Sequence, residues 1–122
     1  MGVYITFRKY LSTGRDSEIR YDDDICVNHF YSSNSPKQME IEMIMHNMGS
    51  IYPKDSPYGI DLDDGYPRIV FVDEIEEAIS KIKKIKCSGS SRYVKKVTIK
   101  FLQNLIEWMN KNNIGAVSRD YW

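Results

Sequence analysis

Hydrophobic residues recur along this chain at two spacings, and the switch between them lays out the elements. Val3, Ile5 and Phe7 alternate with Tyr4, Thr6 and Arg8, the period of two that a half-buried strand requires. Ile25, Val27 and His29 alternate with Cys26, Asn28 and Phe30 and predict a second strand, antiparallel to the first. The stretch STGRDS between them is rich in turn formers. Three consecutive aspartates at 22–24 mark a bend, because Asp disfavours a pleated ladder.

Residues 36–48 fit both periods. Met39, Ile41, Met43 and Met45 alternate with Glu40 and Glu42 as in a strand. Ser35 as N-cap, Pro36 at the first helical position, Gln38 in a capping box and Gly49 as terminator frame a helix. The helix is preferred because both of its ends are signalled. Residues 49–68 hold three prolines and three tyrosines. A connection of that length is either functional or contains a strand, and Ile60 and Leu62 are available for one.

The C-terminal half is more regular. Ile69 to Val72 predicts a short strand, and Asp73 caps a helix with Glu74, Glu76 and Glu77 early and Lys83, Lys84 and Lys86 late, the order the helix dipole favours. Ile75, Ala78, Ile79, Ile82 and Ile85 form its apolar stripe. Val94, Val97, Phe101, Leu105 and Trp108, with Leu102 and Met109 beside them, predict a second helix from about Ser91, stopped by Gly115. VTIKF also alternates, so a strand reading of Val97, Ile99 and Phe101 stays open. The tail AVSRDYW adds a last strand or docks its aromatics. The order of elements predicts one α+β domain over residues 1–122. Its small antiparallel sheet, the N-terminal strands plus the 69–72 strand, packs against two C-terminal helices.

Composition narrows the class. With 122 residues, 42% hydrophobic and 28% charged, the chain suits one globular core. No apolar run approaches the roughly 20 residues of a membrane span, and the alternating start is unlike a signal peptide, so a cytoplasmic protein is expected. Gly2 and Thr6 match a myristoylation start, but the residues around them read as a strand. Cys26 and Cys87 stand alone, and with only His29 and His46 to join them no zinc spacing arises. Neither a metal nor a cofactor is expected.

Charge changes the picture most. The formal net charge is zero, yet residues 1–80 hold 7 Lys/Arg against 15 Asp/Glu, and residues 81–122 hold 10 against 2. The chain is a strong dipole in sequence. Known chemistry does not absorb it. RIVFVDE ends in Asp-Glu like a Walker B strand, but no P-loop accompanies it. DLDDG at 61–65 misses the calcium-loop register, with glycine at position 5 and Val72 at position 12. CSGSSR has four residues between Cys87 and Arg92 where a phosphatase loop has five. No catalytic residue is nominated, and a non-enzymatic role is expected.

Two surfaces remain as candidates. Asp22, Asp23, Asp24, Asp61, Asp63 and Asp64 neighbour Tyr21, Tyr52, Tyr58 and Tyr66. Tyr58 and Tyr66 with these carboxylates would engage a basic protein, a toxin or a nucleic-acid enzyme, by aromatic contact and charge steering. Size, charge and the lack of catalytic motifs make an inhibitor or immunity-type protein the first expectation, by analogy. The alternative is nucleic-acid or phosphate-ligand binding through Lys83, Lys84, Lys86, Ser90, Ser91, Arg92, Lys95 and Lys96. Arg92, Lys95 and Lys96 near a helix N-terminus oppose the dipole by about 0.3–1 kcal/mol each, and broken local rules often mark a site. Neutralisation of these lysines by the chain's own aspartates is the competing explanation.

Overall fold

The N-terminal alternation produces β1 (Tyr4–Lys9), with Ile5 and Phe7 buried and Tyr4, Thr6 and Arg8 half-buried. The computed structural model describes residues 4–12, 17–26, 36–51 and 68–121. β2 (Ile25–Cys26) pairs antiparallel with β1, Tyr4 opposite Cys26 and Ile5 opposite Ile25. Val27 to Phe30 lie outside the described residues, as do Ser35 and the suggested Ile60–Leu62 strand. Residues 19–21 extend the same edge. Lys9 N–H donates to Ile19 O and Tyr21 N–H to Phe7 O, both at 2.9 Å.

The tail forms the middle of the sheet. β5 (Ala116–Tyr121) lies between β1 and β4 (Arg68–Phe71), and β3 (Ser50–Ile51) pairs with β4. The order is β2-β1-β5-β4-β3 with antiparallel neighbours throughout. Residues directly opposite in a ladder share a face. Arg119 sits opposite both Phe7 and Arg68, and Val117 opposite Val70. Ile5, Phe7, Val70, Val117 and Arg119 therefore share the face that packs into the core.

Three helices supply the other side of that core. In α1 (Pro36–Asn47), Gln38, Ile41, Glu42 and Met45 are buried, the spacing of one helical face. The helix reading holds, and it leaves Met39 and Met43 45% and 50% exposed. Gly49 ends the helix at φ +87°, where a Cβ would stand 2.6 Å from Ile69 O. Gln38 does not serve its own helix start. It reaches the first residue of the last helix, as described below.

α2 (Val72–Lys83) begins two residues earlier than a cap at Asp73 predicts, since Val72 is already helical. Its N-cap is Phe71, whose N–H donates to Glu74 Oε1 at 3.0 Å. The Glu74 carboxylate thus satisfies the N-cap N–H, the half of a capping box that the third helical residue supplies. Ile75, Ala78, Ile79, Ile82 and Ile85 are all buried, as their spacing requires. α3 (Ser90–Lys111) removes the strand reading of VTIKF. Val94, Thr98, Phe101, Leu102, Leu105 and Met109 are buried at helical spacing, each apolar one contributing about 1.5–3 kcal/mol. Asn113, not Gly115, takes the left-handed position at φ 54°. Ile114 N–H donates to Met109 O at 2.8 Å and Asn113 N–H to Asn110 O at 3.3 Å, which closes the helix as a Schellman motif. Phe101 joins helix to sheet, its ring 5.9 Å from Phe7 and 5.5 Å from Tyr21.

The core also holds a charge. Arg119 is fully buried, and its Nη1 donates to Met45 O at 3.4 Å and to His46 O. Arg68 Nη1 donates to Asn47 O at 3.2 Å and Gly49 O at 3.0 Å. Like charges directly opposite in a sheet repel. Both face the C-terminal carbonyls of α1, the negative pole of that helix, which offsets the repulsion.

Candidate binding surfaces

The basic segment folds as the end of α2, a short loop and the first half of α3. Lys95 holds these pieces side by side. Its Nζ donates to Lys83 O at 3.0 Å and Ile85 O at 2.7 Å, so its charge caps the carbonyl end of α2. Ser91 is likewise engaged. Its hydroxyl donates to Ser88 O at 2.6 Å and accepts from Ser88 N–H at 3.1 Å. Ser90 is exposed, and its Oγ accepts from Gln38 Nε2 at 3.1 Å.

The remaining cations point outward. Lys83, Lys84, Lys86, Arg92, Lys96 and Lys100 are exposed, and among the described residues no carboxylate forms an ion pair with any of them. Arg92, Lys96 and Lys100 repeat every four residues, which places them in one row on α3. Tyr93, 62% exposed, stands beside that row. The described residues place their ion pairs elsewhere: Arg8 with Asp120 at 2.7 Å, Lys81 with Glu77 at 3.1 Å and Lys37 with Glu40 at 3.8 Å.

The acidic candidates divide. Asp22, Asp23 and Asp24 form an exposed turn before β2, where Asp24 N–H donates to Asp23 Oδ1 at 2.9 Å. Tyr58, Asp61, Asp63, Asp64 and Tyr66 lie outside the described residues. Asp23 and Asp24 line an open cleft of about 510 Å³ together with Lys96, Lys100, Tyr4 and Phe101. Opposite charges thus share one cleft without pairing across it. Tyr21, just before the acidic turn, packs its ring 5.4 Å from Trp108. Burial pushes its pKa up to about 12, with smaller contributions from Asp23, Asp22 and Glu107.

Three residues at these surfaces are not among the candidates nominated from the sequence. Gln38 fits a capping box in sequence, and nothing there points across to Ser90. Tyr93 and Lys100 sit at the helical offsets of Arg92 and Lys96, a periodicity that would have found them. Among the described residues, no group of three or more His, Cys, Asp and Glu could hold a metal ion, and no helix is long and apolar enough to cross a membrane. No protein-family model, curated protein or solved structure matches this chain.

Proposed function

We propose that this chain is a non-enzymatic binding protein that recognises a phosphate-bearing ligand, a nucleic-acid backbone, through the corner made by the end of α2 and the start of α3. One observation carries the reading. Lys83, Lys84, Lys86, Arg92, Lys96 and Lys100 are each exposed and have no ion-pair partner among the described residues. A row of like charges on a helix is unfavourable by about 0.2–0.5 kcal/mol per neighbouring pair, and a polyanion reverses that sign. Tyr93 adds an aromatic face on which an unpaired base can stack. Binding responds to the charge presented locally rather than to the net charge, and locally Asp23 and Asp24 share a cleft with Lys96 and Lys100, so Lys83, Lys84, Lys86 and Arg92 weigh most in this reading. The test is retention on immobilised heparin and on single-stranded DNA at about 50 mM salt. Lys84→Glu with Lys96→Glu should abolish retention and leave the circular-dichroism spectrum unchanged. Retention that survives these reversals would refute the reading.

A second reading rests on the turn at Asp22, Asp23 and Asp24, whose carboxylates are exposed and have no cation partner among the described residues. It makes the chain an inhibitor or immunity-type protein for a basic partner, a toxin or a nucleic-acid enzyme, steered by this turn. Co-purification with a basic protein, lost in Asp22→Lys with Asp24→Lys, supports it. Unchanged capture by that variant would remove it.

A further inference from the structure

The cleft lined by the turn before β2 and by α3 has features that neither surface reading explains. Its volume of about 510 Å³ falls within the roughly 300–1,000 Å³ of small-molecule sites. Its charged lining comes in two self-repelling sets. Asp23 and Asp24 are neighbours in the turn, and Lys96 and Lys100 stand one turn apart on α3. All four are exposed, and among the described residues none forms an ion pair. The Asp24 N–H fixes the Asp23 carboxylate from within the turn, at 2.9 Å.

This lining selects against a ligand of one sign. A polyanion drawn to Lys96 and Lys100 also meets Asp23 and Asp24, and a polycation meets the reverse. A ligand with one charge of each sign relieves both sets at once. Tyr21, just before the turn, reports the negative half. Burial raises its phenol pKa first, and Asp23 and Asp22 raise it further. The cleft also has an apolar surface for the body of a ligand, made by the buried Ile25 and Phe101 and the half-buried Val97. These stand on β2 and α3, and the Phe101 ring is packed 5.9 Å from Phe7 and 5.5 Å from Tyr21. Regular elements therefore hold that surface in place before a ligand arrives.

We infer that this cleft binds a zwitterion with a free ammonium, a carboxylate and an apolar body, the chemistry of a short peptide or an amino acid. Asp23 and Asp24 receive the ammonium, Lys96 and Lys100 receive the carboxylate, and Ile25, Val97 and Phe101 receive the apolar side chain. The site goes beyond the phosphate reading and does not rest on it. That reading weighs most on Lys83, Lys84, Lys86 and Arg92, none of which lines this cleft.

The experiment titrates the whole protein with the tripeptide Gly-Phe-Gly, with its N-acetylated and C-amidated forms, and with free phenylalanine. Calorimetry reads affinity, and the methyl resonances of Ile25 and Val97, which should shift and saturate together, read location. Removing either terminal charge should weaken binding about fivefold, the upper range of an exposed ion pair. In Asp23→Asn with Asp24→Asn, acetylation should cost nothing further while amidation still does. In Lys96→Gln with Lys100→Gln, the pattern should reverse. The four residues are exposed, so both variants should keep the wild-type circular-dichroism spectrum. Phenylalanine binding as tightly as the tripeptide assigns the cleft to an amino acid, and weaker binding assigns it to a peptide. No saturable binding of either free zwitterion, equal affinity for capped and free tripeptide, or unmoved Ile25 and Val97 resonances overturns the inference. Retention on DNA is a separate readout and keeps or loses the phosphate reading on its own.

Discussion

Lys95 and Lys96 are adjacent, equally charged and part of one basic run, yet the structure assigns them different work. Lys95 is half-buried, with its ammonium on the carbonyls of Lys83 and Ile85 at the end of α2. Lys96 is exposed on the cleft wall with no ion-pair partner among the described residues. Lys95→Met keeps the stem and removes the charge. It loses two hydrogen bonds from a charged donor and the favourable end of a helix dipole. In a half-buried setting these come to about 1–2 kcal/mol together. For a domain of this size that is a fall of about 3–8 °C in Tm. Lys96→Met should stay within about 0.5 kcal/mol of wild type, as surface changes do. Urea titration followed by circular dichroism reads both, and DNA retention read beside it should show the reverse order. The reasoning fails if Lys95→Met costs under about 0.5 kcal/mol, or if it weakens retention as much as Lys96→Met does.

Other expectations follow from single contacts. Arg119→Met should destabilise by about 1–3 kcal/mol in urea, because it leaves the Met45 and His46 carbonyls without this donor; a neutral outcome would refute that role. Tyr21 has a folded-state pKa of about 12 against 10.0 for the ordinary phenol. Its contribution to stability is therefore complete below pH 10 and lost as pH rises through 12. Tyr21→Phe should flatten the decline in stability over that window, and an unchanged decline would assign it to other groups. Asn113→Gly should hold or raise Tm, whereas Asn113→Val should cost about 1–2 kcal/mol, as a left-handed β-branched residue must.

Most elements are legible in the sequence because their apolar faces repeat. The stripe from Ile75 to Ile82 defines α2, and the one from Val94 to Met109 outweighs the competing alternation of VTIKF in α3. The two marked ends of α1 outweigh its alternating methionines, since burying Ile41 and Met45 at helical spacing leaves Met39 and Met43 outside. The central place of β5 is hidden for a physical reason. Its core-facing residues include Arg119, and its other face carries Ser118 and Asp120, so the strand that pairs on both edges looks like a polar tail. Boundaries moved where caps differed from expectation, with Glu74 standing in for Asp73 and Asn113 for Gly115. At the candidate surface the cations are visible as a run, but which of them stay exposed depends on contacts across the fold. Nothing local separates Lys95 from Lys96, or directs Gln38 to Ser90.

The central claim is that the α2–α3 corner presents cations to a phosphate backbone. The salt dependence of single-stranded DNA binding tests it most directly. Each phosphate contact contributes a slope of about −0.7 to a plot of log K against log salt. Replacing Lys84 and Lys96 together by Gln should make that slope shallower by about 1.4. An unchanged slope, or affinity that does not fall with salt in the wild type, would contradict the account.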